Sequence, residues 1–256
     1  MSALVELWQF LTVADHWSGR NGIAARTLSH LLISLAAVLV AGVLVVPPAI
    51  WLGHRRRGGV VAIAAVNLGR AIPSLAILAL ALPLSIRYGF GLGAVPTLVA
   101  LTVLAMPPLF ANSYVGVANI DGHLIDAARG QGLTGGEILR GVELPLATPL
   151  LVTGVRVSFV QVLATAALGA LVAFSGLGSF IVEGMAQFDD GKTLTGAVLT
   201  SMLAIGAEIL LLRLQRRLTP WAPSPRARRA AGRESTATSS WSGKTDGARS
   251  ASTSSG

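Results

Sequence analysis

The chain reads as long apolar runs broken by short polar joints. Five runs, residues 28–52, 60–84, 92–115, 146–174 and 194–212, reach the roughly 20 mostly apolar residues that a helix needs to cross a bilayer core. A further apolar stretch, residues 3–13, carries Glu6, Trp8 and Gln9. It is too short to span and suits a helix lying in the membrane interface. It lacks the basic start of a signal peptide and is expected to be retained. The pattern predicts an all-α integral membrane protein with about five transmembrane helices and an N-terminal interfacial helix.

Composition sharpens that picture. Hydrophobic residues make up 52% of the 256, charged residues 12%, and mean hydropathy is +0.66. Soluble domains run near 25% charged, so this chain has about half the usual solvating surface. The absence of cysteine excludes a disulfide scaffold, a thiolate metal site and a cysteine nucleophile. The histidines at 16, 30, 54 and 123 are too scattered to suggest a metal centre.

Basic residues flanking the spans set direction. His54-Arg55-Arg56-Arg57 follows the first run, and Arg213, Arg216 and Arg217 close the fifth. Both clusters belong inside, which puts the N-terminus outside and the C-terminus in the cytoplasm. Residues 116–145 then fall inside, and residues 85–91 and 175–193 outside, with only Arg87 and Lys192 as basic groups. Three parts follow: an interfacial segment 1–22, a transmembrane region 23–218 and a tail 219–256. The tail is basic and rich in Ser and Thr; such a stretch buries too little apolar surface to order itself. Beside membrane spans, its positive charge suits anionic lipid rather than nucleic acid.

The inner loop carries the chemistry. Asp121 is a plausible N-cap for a short helix through Arg129, which Gly130 and Gly132 stop. Thr134 and Glu137 fit a capping box for a second short helix, which Pro145, preceded by Leu144, is expected to end as the fourth span begins. Isolated helices this short are marginal, so something must pack against them. Ile125, Ala128, Ile138 and Leu139 offer apolar contacts, either with the chain's own bundle or with a partner.

Asp126-Ala127-Ala128, then Gly132, then Val142-Glu143-Leu144-Pro145 resembles the signature loop of the permease subunits of bacterial ABC importers. That signature reads Glu-Ala-Ala, three residues, Gly, nine residues, Ile-x-Leu-Pro. The spacing matches throughout, with Asp126 in place of Glu and Val142 in place of Ile. The resemblance implies a type I ABC importer permease fold in a bacterial cell membrane. It implies that Asp126, Ala127, Ala128, Gly132, Val142, Leu144 and Pro145 form a coupling helix seated in a cytoplasmic ATPase dimer. It further implies a second permease subunit, as a homodimer or heterodimer, and an extracytoplasmic substrate-binding protein. ATP and Mg would be held and hydrolysed by the partner, with no cofactor or metal on this chain.

Residues 71–76 (Ala-Ile-Pro-Ser-Leu-Ala), Val95-Pro96, Asn112-Ser113-Tyr114 and Gly176-Leu177-Gly178, with Ile181 and Gly184, are similar to the branch that imports glycine betaine, carnitine, choline and related osmoprotectants. Permeases for methionine or sulfonates share parts of these motifs. An ion-coupled secondary transporter and a membrane anchor displaying the basic tail are the rival readings from other classes.

The candidate pathway residues are Asn67, Arg70, Pro73, Ser74, Asn112 and Tyr114. Asn67, Arg70 and Ser74 share one helix face at spacings of three and four. Arg70 falls near mid-bilayer, where an unpaired charge is costly and defaults to a functional candidate; the competing reading is that it caps a neighbour's carbonyls. Pro73 would break the helix ladder and free carbonyls toward a cavity. Arg156 and Glu208, toward the inner ends of their spans, are expected to snorkel. Gly130-x-Gly132-x-x-Gly135 matches a dinucleotide fingerprint but follows no strand, and Gly191-Lys192-Thr193 lacks the first glycine of a phosphate loop. Neither signals a nucleotide site.

Overall fold

The computed structural model describes residues 3–59, 64 and 73–220. The chain divides into a unit Met1–Leu218 and a unit Thr219–Gly256, and the architecture below is that of the first. Its helices are α1 (Ala3–Thr12), α2 (Ile23–His54), α3 (Ser74–Arg87), α4 (Ala94–Ala118), α5 (Gly122–Gly130), α6 (Gly135–Ile138), α7 (Leu144–Thr165), α8 (Gly178–Gln187) and α9 (Asp190–Leu218). Among the described residues there is no strand. Four helical stretches are long and apolar enough to cross a membrane: Ile23–His54, Ala94–Ala118, Gly135–Val172 and Asp190–Leu218. The second apolar run appears as α3, 14 residues long and capped by an extended Pro73. Most of the earlier part of that run, Asn67 and Arg70 included, lies outside the described residues.

The centre of the bundle is α4, with 44% of its apolar window buried against 6% in α9. Ile33, Ala37 and Ala41 of α2 and Leu101, Ala105 and Leu109 of α4 each recur every fourth residue. These two stripes meet Val162 of α7, Ala166 and Phe174 in one cluster. In lipid the apolar drive between helices is weak, so close van der Waals packing holds them together. Alanines 37, 41 and 105, all fully buried, let the backbones approach. Ser34, Thr97 and Thr200 inside the bundle each donate to the carbonyl four residues back, a bond that needs no partner helix, while Ser158 of α7 donates across to the Ala105 carbonyl of α4 at 3.1 Å. His30, fully buried, donates from Nε2 to the Leu163 carbonyl at 2.8 Å, just before α7 gives way to a 3-10 segment, Ala166–Val172.

Several expectations change. The N-terminal helix is held by the bundle along one face, where Phe10 and Leu11 pack with Ile23, Leu177, Phe180, Leu199 and Leu203, while Trp8 stays exposed. Residues 175–193 contain α8, and α9 starts at Asp190, four residues before the apolar run. Gly178 lets α8 approach the 3-10 segment, since a Cβ there would lie 2.0 Å from the Ala167 carbonyl oxygen.

Pro145 does not end the second short helix. From Ile138 the chain continues through a π-helical turn, Leu139–Glu143, directly into α7, and the Leu144 amide donates to Leu139, five residues back. The wider π turn leaves room for a ring that would clash in an α ladder and needs no amide from Pro145.

Candidate functional site

The inner loop is built as the capping residues dictate. The Asp121 carboxylate accepts from the His123 amide at 3.0 Å and starts α5. At the other end Gly132 takes φ +84°. Its amide donates to the Arg129 carbonyl at 2.9 Å, and the Leu133 amide to Ala128 at 3.3 Å. That pair of bonds is a Schellman motif, which wants glycine at the left-handed position. The capping box of α6 is complete: the Thr134 amide donates to Glu137 Oε2 at 2.7 Å and the Glu137 amide to Thr134 Oγ1 at 3.4 Å.

Neither helix floats free. Ile120, Ile125, Ala128 and Ile138 form a small core of their own with Val142 against it, so the inward face packs on the chain itself. The opposite face is open: Ala127 is exposed, as are Leu124 at 50% and Leu133 at 37%. Asp126 is also exposed and meets Arg129 at 3.5 Å. Of the candidate coupling residues, the structure thus places Asp126, Ala127, Gly132 and Pro145 at the surface, Ala128 in the small core, and Val142 and Leu144 half-buried.

Two contacts absent from the sequence-based reading tie this knob to α2. His54 Nδ1 lies 2.5 Å from Glu143 Oε2, and the Glu143 side chain is only 3% exposed. Because a carboxylate only accepts, His54 is the donor. Arg56 Nη2 donates to the Ile120 carbonyl at 2.5 Å, from a backbone held left-handed at φ +49°. A charged residue at the variable position between Val142 and Leu144, in an otherwise apolar tetrad, is the signal that could have marked Glu143.

The described pathway candidates, Pro73, Ser74, Asn112 and Tyr114, do not form one cluster. Ser74 lines a small cavity with Leu78, Thr97, Leu101 and Thr165, near the start of α4. Asn112 lies 15 residues beyond Thr97, about 22 Å along the helix at 1.5 Å per residue. Its side-chain amide donates to the Pro108 carbonyl at 2.8 Å, and Tyr114 stacks on Phe110 with ring centres 6.5 Å apart. Pro73 is exposed. Arg156 and Glu208 do not snorkel apart. Arg156 Nη1 pairs with Glu208 Oε1, and its Nε donates to Gln215 Oε1 at 3.0 Å, so each charge is neutralised inside the inner half of the bundle.

At the opposite end Arg26 pairs with Glu183 at 2.8 Å, Lys192 with the same carboxylate at 2.9 Å, and the Arg26 guanidinium lies 4.3 Å over the Phe180 ring. Burial pushes the Glu183 carboxyl upward, but its bonds to Lys192 and Arg26 outweigh that and hold it below the usual glutamate value.

A family model described as binding-protein-dependent transport system inner membrane component matches residues 38–220, which include the whole capped loop and the helices around it. The chain belongs to this family. As a binding-protein-dependent transport component it resides in a membrane and works with a substrate-binding protein, an ATPase and a second permease. The carnitine transport permease protein OpuCB of Listeria monocytogenes is 35% identical over 79% of this chain and 90% of its own. The glycine betaine/carnitine/choline transport system permease protein OpuCB of Bacillus subtilis is 35% identical over 76% and 88%. Among solved structures, an inward-facing MetNI methionine ABC transporter superposes with a TM-score of 0.67 at 25% identity, covering 77% of this chain and 96% of that one. This permease subunit is therefore a transport component, its relatives carrying no catalytic role of their own.

Proposed function

We propose that this permease passes osmoprotectants of the glycine betaine, carnitine, choline or proline betaine kind inward, driven by an ATPase dimer gripping residues 121–145. The observation that carries the mechanism is the capped knob: two short helices, each closed by its own hydrogen bonds, with Leu124, Ala127 and Leu133 presented outward and Ile125, Ala128 and Ile138 locked inward. ATPase closure pushes the outward face, and the inner core together with the His54–Glu143 and Arg56–Ile120 bonds carries the displacement into α2 and α7. The bundle then alternates between outward and inward access. The named relatives support the substrate class. Aromatic residues make up only 5% of the chain, and quaternary ammonium groups are held best by aromatic faces. Tight recognition of the solute therefore belongs to the binding protein. The pathway role of Asn67, Arg70, Pro73, Ser74, Asn112 and Tyr114, the absence of a cofactor on this chain, and the placement of the N-terminus outside and the C-terminus inside form part of the same proposal.

The test is Gly132→Asp. It is expected to leave the protein in the membrane and ATP hydrolysis running while uptake of labelled betaine collapses; normal uptake by that variant overturns the coupling assignment. Topology is checked separately. Because the chain has no cysteine, a single Gln131→Cys variant gives a background-free label, expected to react with an impermeant maleimide only from the cytoplasmic side.

A further inference from the structure

We propose that the basic cleft between the end of α2 and the inner face of α5 binds an anionic phospholipid of the cytoplasmic leaflet, with its phosphodiester between Arg55 and Arg57 and its acyl chains along α2. The cleft has a volume of about 690 Å³ and is lined by Trp51, the arginines 55–57, Asp126 and Arg129 among others. Residues 122, 125, 126 and 129 of its wall fall on one face of α5, at spacings of three and four.

The charges in the cleft do not cancel. Of its two carboxylates, Glu143 is taken by His54 and Asp126 by Arg129. Arg56 is occupied by the Ile120 carbonyl. Among the described residues, the Arg55 guanidinium makes a stacking contact, 4.2 Å over the Trp51 ring, and no ion pair. Among the described residues, none bonds the exposed Arg57 guanidinium. Four arginines against two carboxylates leave an excess of two positive charges, enough for a monoanionic phosphodiester.

The neighbouring surface argues for a lipid rather than an acidic protein segment. Leu44 and Trp51, both more than half exposed, and the exposed Pro48 follow one another at spacings of four and three and so form one stripe on α2. Arg55, one turn beyond Trp51, continues that stripe directly into the cleft. From 44 to 55 the stripe is about 16 Å long, about half the roughly 30 Å of a bilayer core and so the depth of one leaflet. Trp near its end marks headgroup depth. An apolar strip of one leaflet's depth ending in unneutralised arginines has the shape and polarity of a lipid, tails first and phosphate last. The placement on the cytoplasmic leaflet rests on the topology proposed above.

The experiment uses the full transporter, purified in mild detergent and titrated with phosphatidylglycerol or phosphatidylcholine, with retained lipid read by native mass spectrometry. Wild type is expected to retain phosphatidylglycerol selectively. Arg55→Ala with Arg57→Ala should cut that selectivity about fivefold for each arginine removed. Arg55→Lys with Arg57→Lys, which keeps the charge, should hold most of it, and this separates a binding loss from a folding defect. Leu44→Asn should weaken retention through the tail contact.

The proposal is overturned if the double alanine variant retains lipid as wild type does. It is equally overturned if Arg213→Ala with Arg216→Ala causes the same loss, which would mean undirected surface attraction. Release of the lipid by millimolar inorganic phosphate would indicate a free-anion pocket instead. Loss of the ATPase or of the second permease copy, with lipid retention unchanged, would assign the surface to that protein. A wrong topology shows in the residue 131 labelling and leaves the retention ratio unaffected, so the two failures are distinguishable.

Discussion

Replacing His54 with alanine would strand the Glu143 carboxylate. That group is 3% exposed and its 2.5 Å bond to His54 is its described side-chain partner. Removing one member of a buried hydrogen-bonded pair that includes a charge typically costs on the order of 3–5 kcal/mol, because the remaining group keeps its desolvation without compensation. Against a total stability of about 5–15 kcal/mol for a domain, that is a large fraction. Glu143→Gln behaves differently. The amide oxygen still accepts from His54 Nδ1, so only the charge assistance is lost, about 1 kcal/mol. Glu143→Ala removes the buried acceptor and leaves His54, a quarter exposed, to water, at an intermediate cost. The two assays are thermal unfolding in detergent and the ratio of betaine transported to ATP hydrolysed in proteoliposomes. His54→Ala should lower both, and Glu143→Gln should largely preserve the transport ratio. In the double-mutant cycle a coupling energy above about 1.5 kcal/mol is expected for such a pair. A value under about 0.5 kcal/mol, or a full transport ratio in His54→Ala, would refute the role of this bond as the joint between α2 and the knob.

Other outcomes follow from the same structure. Gly132→Ala places a Cβ in open space but at φ +84°, so its cost is conformational, about 1–2 kcal/mol, and should appear as reduced transport per ATP with normal membrane abundance. Gly178→Ala puts a Cβ 2.0 Å from a backbone oxygen. It should destabilise by about 1–3 kcal/mol or more in thermal unfolding, whereas Gly206→Ala, with nothing within 4 Å, should stabilise by about 0.5–1 kcal/mol. Glu208→Ala leaves Arg156 one-fifth exposed without its carboxylate and should lower the unfolding temperature more than Arg156→Ala with Glu208→Ala together. Glu183 titrates below the usual glutamate value when folded. Its contribution to stability is therefore complete above the unfolded pKa and is lost as pH falls through the folded one, so Glu183→Gln should flatten the acid limb of a stability–pH curve below about pH 4.5, where an unperturbed glutamate titrates.

Local chemistry was legible wherever one residue dictates one bond. Asp121, Gly132, Thr134 and Glu137 fall where capping rules place them, since each acts within a few residues of itself. The apolar runs marked the helices because length alone limits what crosses a bilayer. What escaped involved partners distant in the chain. His54 and Glu143 are 89 positions apart and Arg156 and Glu208 are 52 apart, so no local pattern joins them. Taken singly, Arg156 and Glu208 had an adequate explanation in snorkelling. Pro145 misled for a related reason: a proline removes one bond of the α ladder and crowds the turn before it, and the chain answered with a π turn rather than a stop.

The helical continuity from residue 135 to residue 172 has a mechanical consequence. Its α-helical shaft, Leu144–Thr165, has 22 residues and is about 33 Å long at 1.5 Å per residue, entered through the π turn and left through the 3-10 segment. Tilting that shaft by about 10° at the π turn swings its far end by roughly 6 Å by geometry alone. The start of α8, resting against Ala167 through Gly178, would then answer a small stroke at the 121–145 loop by leverage, with no relay of side chains in between.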